Sequence, residues 1–184
     1  MESYADKFLI ATSKMPDPRF ARTVVYICSH TFEEGAMGVV VNYKIPDFNL
    51  ANVLKELELP LPDQKLPGVY LGGPVDVESA YILHSAEYES EHSMVINEST
   101  ILSRDPNILH DISMDQGPRD YLFILGYSGW GPGQLEMELT RDGWLILPAD
   151  YDDLFRVPAQ LKWQEITRKH GIDIDLFGDV VGTA

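Results

Sequence analysis

Tyr121-Leu122-Phe123-Ile124-Leu125-Gly126-Tyr127-Ser128-Gly129-Trp130-Gly131-Pro132-Gly133-Gln134-Leu135-Glu136 places an apolar run directly ahead of four glycines, a proline and two large rings. The run Tyr121 to Leu125 reads as a buried strand. Glycines crowded beside Tyr127 and Trp130 predict a tightly bent loop leaving that strand, a shape in which backbone amides and side chains can converge. Beyond Pro132, a helix is expected to include Gln134 to Leu139, and Trp144-Leu145-Ile146-Leu147 reads as the next strand. The segment has the outline of a site. It contains no nucleophile paired with a base, no metal-ligand spacing and no phosphate-loop pattern, so the outline carries no legible chemistry.

Working outward, Phe8 to Ala11 and Thr23 to Cys28 read as core strands separated by the turn-rich Met15 to Phe20. Gly35-Ala36-Met37-Gly38 leads into Val39 to Asn42, which is expected to pair with the preceding strand as a hairpin. Asn49 is suited to cap a helix carrying Leu50, Val53, Leu54 and Leu57 at helical spacing, with Phe48 packing on Val53 and Pro60 ending the run. Val69 to Leu71, Ala80 to His84 and Ser93 to Ile96 read as further strands, the last two joined by the acidic stretch Glu87 to Glu91. Asp105-Pro106 opens a short helix with Ile108, Leu109 and Ile112 inward. Pro158 fits the first turn of a last helix, with Leu161 and Ile166 buried and Gly171 as a left-handed stop. About eight short strands interrupted irregularly by about four helices argue for an α+β fold instead of alternating βαβ units. With no repeat or linker, residues 1–184 read as a single domain.

Apolar residues make up 45% of the chain and charged residues 23%, a composition that supports a sizeable core. The net charge of −15 repels phosphate backbones and anionic lipid surfaces, and no local basic patch offsets it, so direct nucleic-acid binding is disfavoured. The first residues lack the basic start and apolar centre of a secretory signal, and no apolar stretch approaches the ~20 residues of a membrane span. Cys28 is the only cysteine, which rules out an internal disulfide or a multi-cysteine metal site. A cytoplasmic protein without membrane, metal or cofactor is expected.

Several residues could carry function. Cys28 and His30 lie two apart on a strand and are expected to face the same side, where imidazole could activate the thiol; the competing reading is a small buried cysteine beside a strand-end histidine. His84 closes another strand and could approach His30, although no carboxylates at ligand spacing complete a metal site. Gly72-Gly73-Pro74 could present backbone amides to an anion, or could simply form a tight turn. Ser128 lacks the glycine two residues later that a nucleophile elbow requires. Gln134 and Glu136 could bind a polar ligand or could cap the loop and the helix start. Asn42 and Trp130 complete the set, with Trp130 expected to pack at the junction of glycine loop and sheet.

Five segments occur in an order that closely resembles the YqgE/AlgH family of bacterial proteins: Val24-Val25-Tyr26-Ile27-Cys28-Ser29-His30, Gly35 to Asn42, Gly72-Gly73-Pro74-Val75, Leu83-His84 and Gly126 to Glu136. The resemblance spans nearly the whole chain and implies a compact α+β domain whose barrel-like, mostly antiparallel sheet is flanked by helices. It implies no established substrate, cofactor or catalytic residue. One branch of the family is named for a proposed regulatory role in alginate synthesis, and its homologues are described as transcriptional regulators. This chain departs from the family after Asn42, where Tyr43-Lys44-Ile45-Pro46 stands in place of a basic residue followed directly by proline. A binding or regulatory protein acting through a small molecule or a protein partner is the leading functional reading, because no complete catalytic set is visible. A hydrolase or transferase built on Cys28 and His30, with the glycine loop supplying oxyanion donors, comes second. Direct transcriptional regulation comes third on charge.

Overall fold

The computed structural model describes residues 3–176. Strands β1 (Lys7–Ala11), β2 (Val24–Thr31) and β3 (Gly35–Val40) form an antiparallel meander, and β2 and β3 make the expected hairpin with Thr31 opposite Gly35. The glycines of Gly35 to Gly38 belong to β3 itself instead of leading into it. The free side of β1 takes β10 (Trp144–Pro148), with Lys7 opposite Pro148 and Ala11 opposite Trp144. On the far side of β3 lie β9 (Tyr121–Trp130), β6 (Val75–Ser85), β8 (Thr100–Ser103) and β7 (Ser93–Asn97), giving the order β10-β1-β2-β3-β9-β6-β8-β7. A branch of β4 (Lys44–Asn49) and β5 (Gly68–Leu71) joins through β5, which runs parallel to β9; the other pairings are antiparallel. The sheet curls into a half-barrel.

Five α-helices accompany the ten strands of the described residues: α1 (Leu50–Glu56), α2 (Asn107–Ser113), α3 (Gln134–Leu139), α4 (Tyr151–Phe155) and α5 (Lys162–Lys169). The α+β class and the mostly antiparallel sheet are as expected, while β4, β8 and α4 add to the elements read from the sequence. The start of α1 is the capping box that Asn49 predicts: Asn49 Oδ1 accepts the Ala51 and Asn52 amides, and Asn52 Oδ1 accepts the Asn49 amide in return. Gly171 takes the left-handed conformation, φ +73°, that closes the last helical segment. Leu161 is half exposed, against expectation, because it belongs to a separate 3₁₀ turn ahead of α5 and falls off the buried stripe that holds Trp163 and Ile166.

Period-2 alternation assigns each strand residue to one of two faces. Phe8, Ile10, Val24 and Tyr26 enter a concave core closed by Leu154 of α4 and by Trp163 and Ile166 of α5. Leu9, Ala11, Val25 and Ile27 enter a second core under α3, with Trp130, Leu135 and Trp144. Because β1 and β2 are covered on both faces, their sequences read as unbroken apolar runs instead of alternating ones. A third core places Leu50 and Leu54 of α1 and Ile108 and Ile112 of α2 on Val69, Ile82 and Phe123. Each such side chain contributes roughly 1.5–3 kcal/mol of apolar burial.

The glycine-rich stretch does not form a loop after Leu125. The strand continues to Trp130, and what the glycine supplies is a change of neighbour. Up to Leu125, β9 is flanked by β5, with Tyr70 beside Ile124 and Leu71 beside Leu125; from Ser128 onward the same edge belongs to β3. Gly126 at φ +70° is the hinge of that change, and a β-carbon there would lie 2.8 Å from the Gly73 carbonyl oxygen. The loop proper is limited to Gly131-Pro132-Gly133 ahead of α3.

Candidate functional site

Around that hinge, the backbone groups of Gly72 are already paired. The Gly72 amide donates to the Leu125 carbonyl at 2.8 Å, and the Gly72 carbonyl accepts the Val40 amide at 2.8 Å and the Ser128 hydroxyl at 3.0 Å. A β-carbon on Gly73 would fall 2.2 Å from the Tyr127 carbonyl oxygen. Gly72, Gly73 and Ser128 therefore stitch β3, β5 and β9 together, and their glycines answer to close backbone approach. Asn42 has a similar duty: its Oδ1 accepts the Val24 amide at 2.8 Å and its Nδ2 donates to the Arg22 carbonyl at 2.9 Å, holding the entrance to β2.

Cys28 and His30 do not share a face. The register slips between Ile27, opposite Gly38, and Ser29, opposite Met37, so Cys28 is the additional residue of a β-bulge. Cys28 is buried in the concave core, where loss of solvation pushes its thiol far above the usual range. His30 stands opposite Ala36 of the second core and stacks on Tyr4 with ring centroids 4.6 Å apart. Its Nδ1 accepts the Tyr4 amide at 3.0 Å, which puts the ring proton on Nε2, and Nε2 donates to Glu136 Oε1 at 2.8 Å. Glu136 thus anchors α3 to β2. His84 is fully buried, donating from Nδ1 to the Ser85 carbonyl and accepting the Ser103 hydroxyl at Nε2, and burial lowers its pKa. The two histidines share no partner, and among the described residues no three His, Cys, Asp or Glu side chains are grouped as a metal site.

Trp130 packs where expected, at the junction of glycine segment and sheet, and reveals a partner that the sequence reading passed over. Glu138 Oε2 accepts the indole N–H of both Trp130 and Trp144 at 2.9 Å, while Oε1 accepts the side-chain Nε2–H of Gln134 at 2.8 Å. Gln134 Oε1 in turn accepts the Gly131 amide at 2.9 Å, so its side chain ties the glycine turn to α3. The signal for Glu138 was available: a buried indole needs an acceptor, and Glu138 sits one helical turn beyond Gln134.

Beside these internal bonds, the described residues leave open a cleft of about 890 Å³ at one end of the concave core, lined in part by His30 and Trp130. One wall comes from Ser29, Thr31 and Met37 of β2 and β3, the other from Tyr81 of β6, Met94 of β7 and Leu102 of β8. Tyr127 of β9 spans the back, its ring meeting Tyr81 edge to face at 5.9 Å. Arg104 lies over the Tyr81 ring at 5.1 Å, and Glu34, Asp76 and His92 also line the opening. The lining is mixed, apolar with a few polar groups, as ligand sites are. Of the lining residues, Ser29, His30, Met37, Tyr127 and Trp130 belong to the segments quoted for the family resemblance, whereas Tyr81, Met94, Leu102 and Arg104 lie outside them, and the two groups meet only because β7 and β8 fold across from the β2–β3 hairpin.

Comparison with known proteins matches residues 8–175 to a family model described as AlgH-like. The chain is 42% identical to UPF0301 protein DP2218 of Desulfotalea psychrophila over 99% of this chain and 95% of that one, and 41% identical to UPF0301 protein SPO0296 of Ruegeria pomeroyi over 97% of each. Among solved structures, AlgH from Pseudomonas aeruginosa superposes with a TM-score of 0.77 at 34% identity, covering 99% of this chain and 96% of that one. Protein DIP2367 of Corynebacterium diphtheriae shares the fold at 22% identity, with a TM-score of 0.72 over 96% of this chain and 92% of that one. From these matches, the chain belongs to the AlgH-like family.

Proposed function

We propose that the chain is a cytoplasmic binding or regulatory protein that takes a small molecule or a segment of a protein partner into the cleft at the mouth of the half-barrel. The observation that carries this reading is the cleft itself, about 890 Å³ of mixed lining in a chain whose other suggestive residues are spent on internal hydrogen bonds. The hydrolase or transferase reading needs Cys28 beside His30, and the bulge sends them to opposite faces. Native mass spectrometry of protein purified from its host without denaturation tests the binding reading. A retained mass is expected, and it should disappear when Met94→Trp fills the cleft. Absence of any retained mass, together with unmoved Tyr81 and Tyr127 ring resonances on adding a host metabolite extract, would sink it.

A further inference from the structure

We infer that the cleft is built for a small organic anion carrying a planar apolar group, with Arg104 holding the charge and the Tyr81–Tyr127 pair receiving the plane; this rests on the cleft being the binding site. The argument begins with charge pairing. Arg19, Arg22, Arg119, Arg156 and Arg168 each lie within 4.0 Å of a carboxylate oxygen. In a chain with 29 acidic residues against 14 basic ones, an arginine without such a partner stands out; among the described residues these are Arg104 and Arg141, and of the two it is Arg104 that lines this cleft. Its Nη2 donates to Ser79 Oγ at 3.4 Å, and Ser79 donates its own proton to Asp76. The acid therefore positions the serine, and the fork of the guanidinium keeps donors for a ligand.

Stacking over Tyr81 holds the guanidinium plane while leaving its N–H edge open, the arrangement that suits recognition of a carboxylate, phosphate or sulfonate. Neither the Tyr81 nor the Tyr127 hydroxyl is hydrogen-bonded among the described residues, so both remain available to a ligand or to water. Their rings form a T-shaped pair in which Tyr81 is buried beneath Arg104 and Tyr127 is partly exposed, so that the free surface of Tyr127 favours a further aromatic plane. Met37, Met94 and Leu102 supply a pliable apolar floor that accepts more than one outline. Glu34 and Asp76 at the rim oppose a dianion without such a body, so free phosphate or sulfate is a poor fit.

Two fluorescent probes separate the cleft from the charge: anionic 1-anilinonaphthalene-8-sulfonate and neutral N-phenyl-1-naphthylamine. Both should bind the native protein, and Met94→Trp should weaken both. Arg104→Gln should weaken the anionic probe about tenfold or more, the worth of a charge-assisted contact, and leave the neutral probe unchanged, with Arg104→Lys in between. Near-UV circular dichroism checks that each variant stays folded. If Met94→Trp weakens both probes but Arg104→Gln changes neither, the cleft stands and the anion assignment is overturned. If neither probe binds, or both ignore Met94→Trp, the cleft is not the site and both readings fall.

Discussion

Trp130 and Trp144 share one acceptor: their indole N–H groups converge at 2.9 Å on Glu138 Oε2, and their rings meet edge to face with centroids 6.1 Å apart. One comes from β9 and the other from β10, at opposite ends of the β10-β1-β2-β3-β9 half of the sheet. A single carboxylate on α3 thus fastens the helix across that whole face.

Removing the carboxylate should be felt at both rings. Glu138→Ala leaves two largely buried donors without an acceptor and should cost about 2 kcal/mol, with Trp130→Ala costing ~3–5 kcal/mol through the cavity it opens. Urea denaturation measures both. A Glu138→Ala loss under about 0.5 kcal/mol would show that water replaces the carboxylate.

The β9 hinge predicts a graded glycine series. Gly171→Ala meets no atom within 4 Å and should cost only the roughly 1–2 kcal/mol of a left-handed alanine. Gly126→Ala carries the same strain plus contact with the Gly73 carbonyl, and Gly72→Ala drives a β-carbon to 2.4 Å from the Gly126 carbonyl oxygen. Both should cost more than Gly171→Ala, and equal losses at all three positions would refute the crowding at the strand junction.

Cys28 should alkylate slowly in the native protein and rapidly after denaturation, because its thiol is buried and held protonated. Stopped-flow alkylation against pH is the measurement. A native rate that titrates near neutrality and vanishes in His30→Ala would contradict the bulge geometry.

Lys162 gives the pH dependence. It is fully buried, donates to the Leu154 carbonyl, and burial together with the nearby positive charge of Lys44 lowers its pKa to about 7. Unfolded, it titrates near 10.4. Between those values the unfolded state binds the extra proton, so stability rises with pH. Released Cys28 begins to titrate near 8.5 in the unfolded chain while the folded thiol stays protonated, which opposes the rise from there upward. Urea midpoints should therefore increase from pH 7 to about pH 8.5, on the order of 2 kcal/mol, and Lys162→Met should flatten that slope. A wild-type curve falling over the same range would refute it.

Specific duplex DNA binding by the purified protein is not expected at physiological salt, since the net charge of −15 opposes phosphate contact. Submicromolar, sequence-selective binding in a fluorescence anisotropy titration would overturn this.

What the sequence disclosed follows from how local each signal is. The Asn49 cap, the run Leu122 to Leu125, the helix after Gly133 and the stop at Gly171 depend on neighbouring residues and were legible. Gly126 misled because a positive-φ glycine inside a strand has the same local appearance as one in a loop. Lys44 to Asn49 escaped notice because its polar residues and Pro46 make a strand paired only at its two ends, Lys44 with Tyr70 and Asn49 with Gly68. The Cys28 bulge inverted a face assignment that strict alternation would have made correct. The cleft was out of reach for a different reason: Met37, Tyr81, Met94 and Arg104 become neighbours only through strand order.

Because Lys7 faces Pro148 across adjacent strands, β1 leaves the ribosome long before β10, its partner on that edge. At ~5–20 residues per second, that interval is on the order of ten seconds, during which Phe8 to Ala11 can pair with β2 alone and present one unsatisfied apolar edge. The half-barrel is therefore a high-contact-order topology, completed late in synthesis and slow to form from the full-length chain. Its most aggregation-prone moment in the cell comes before β10 emerges.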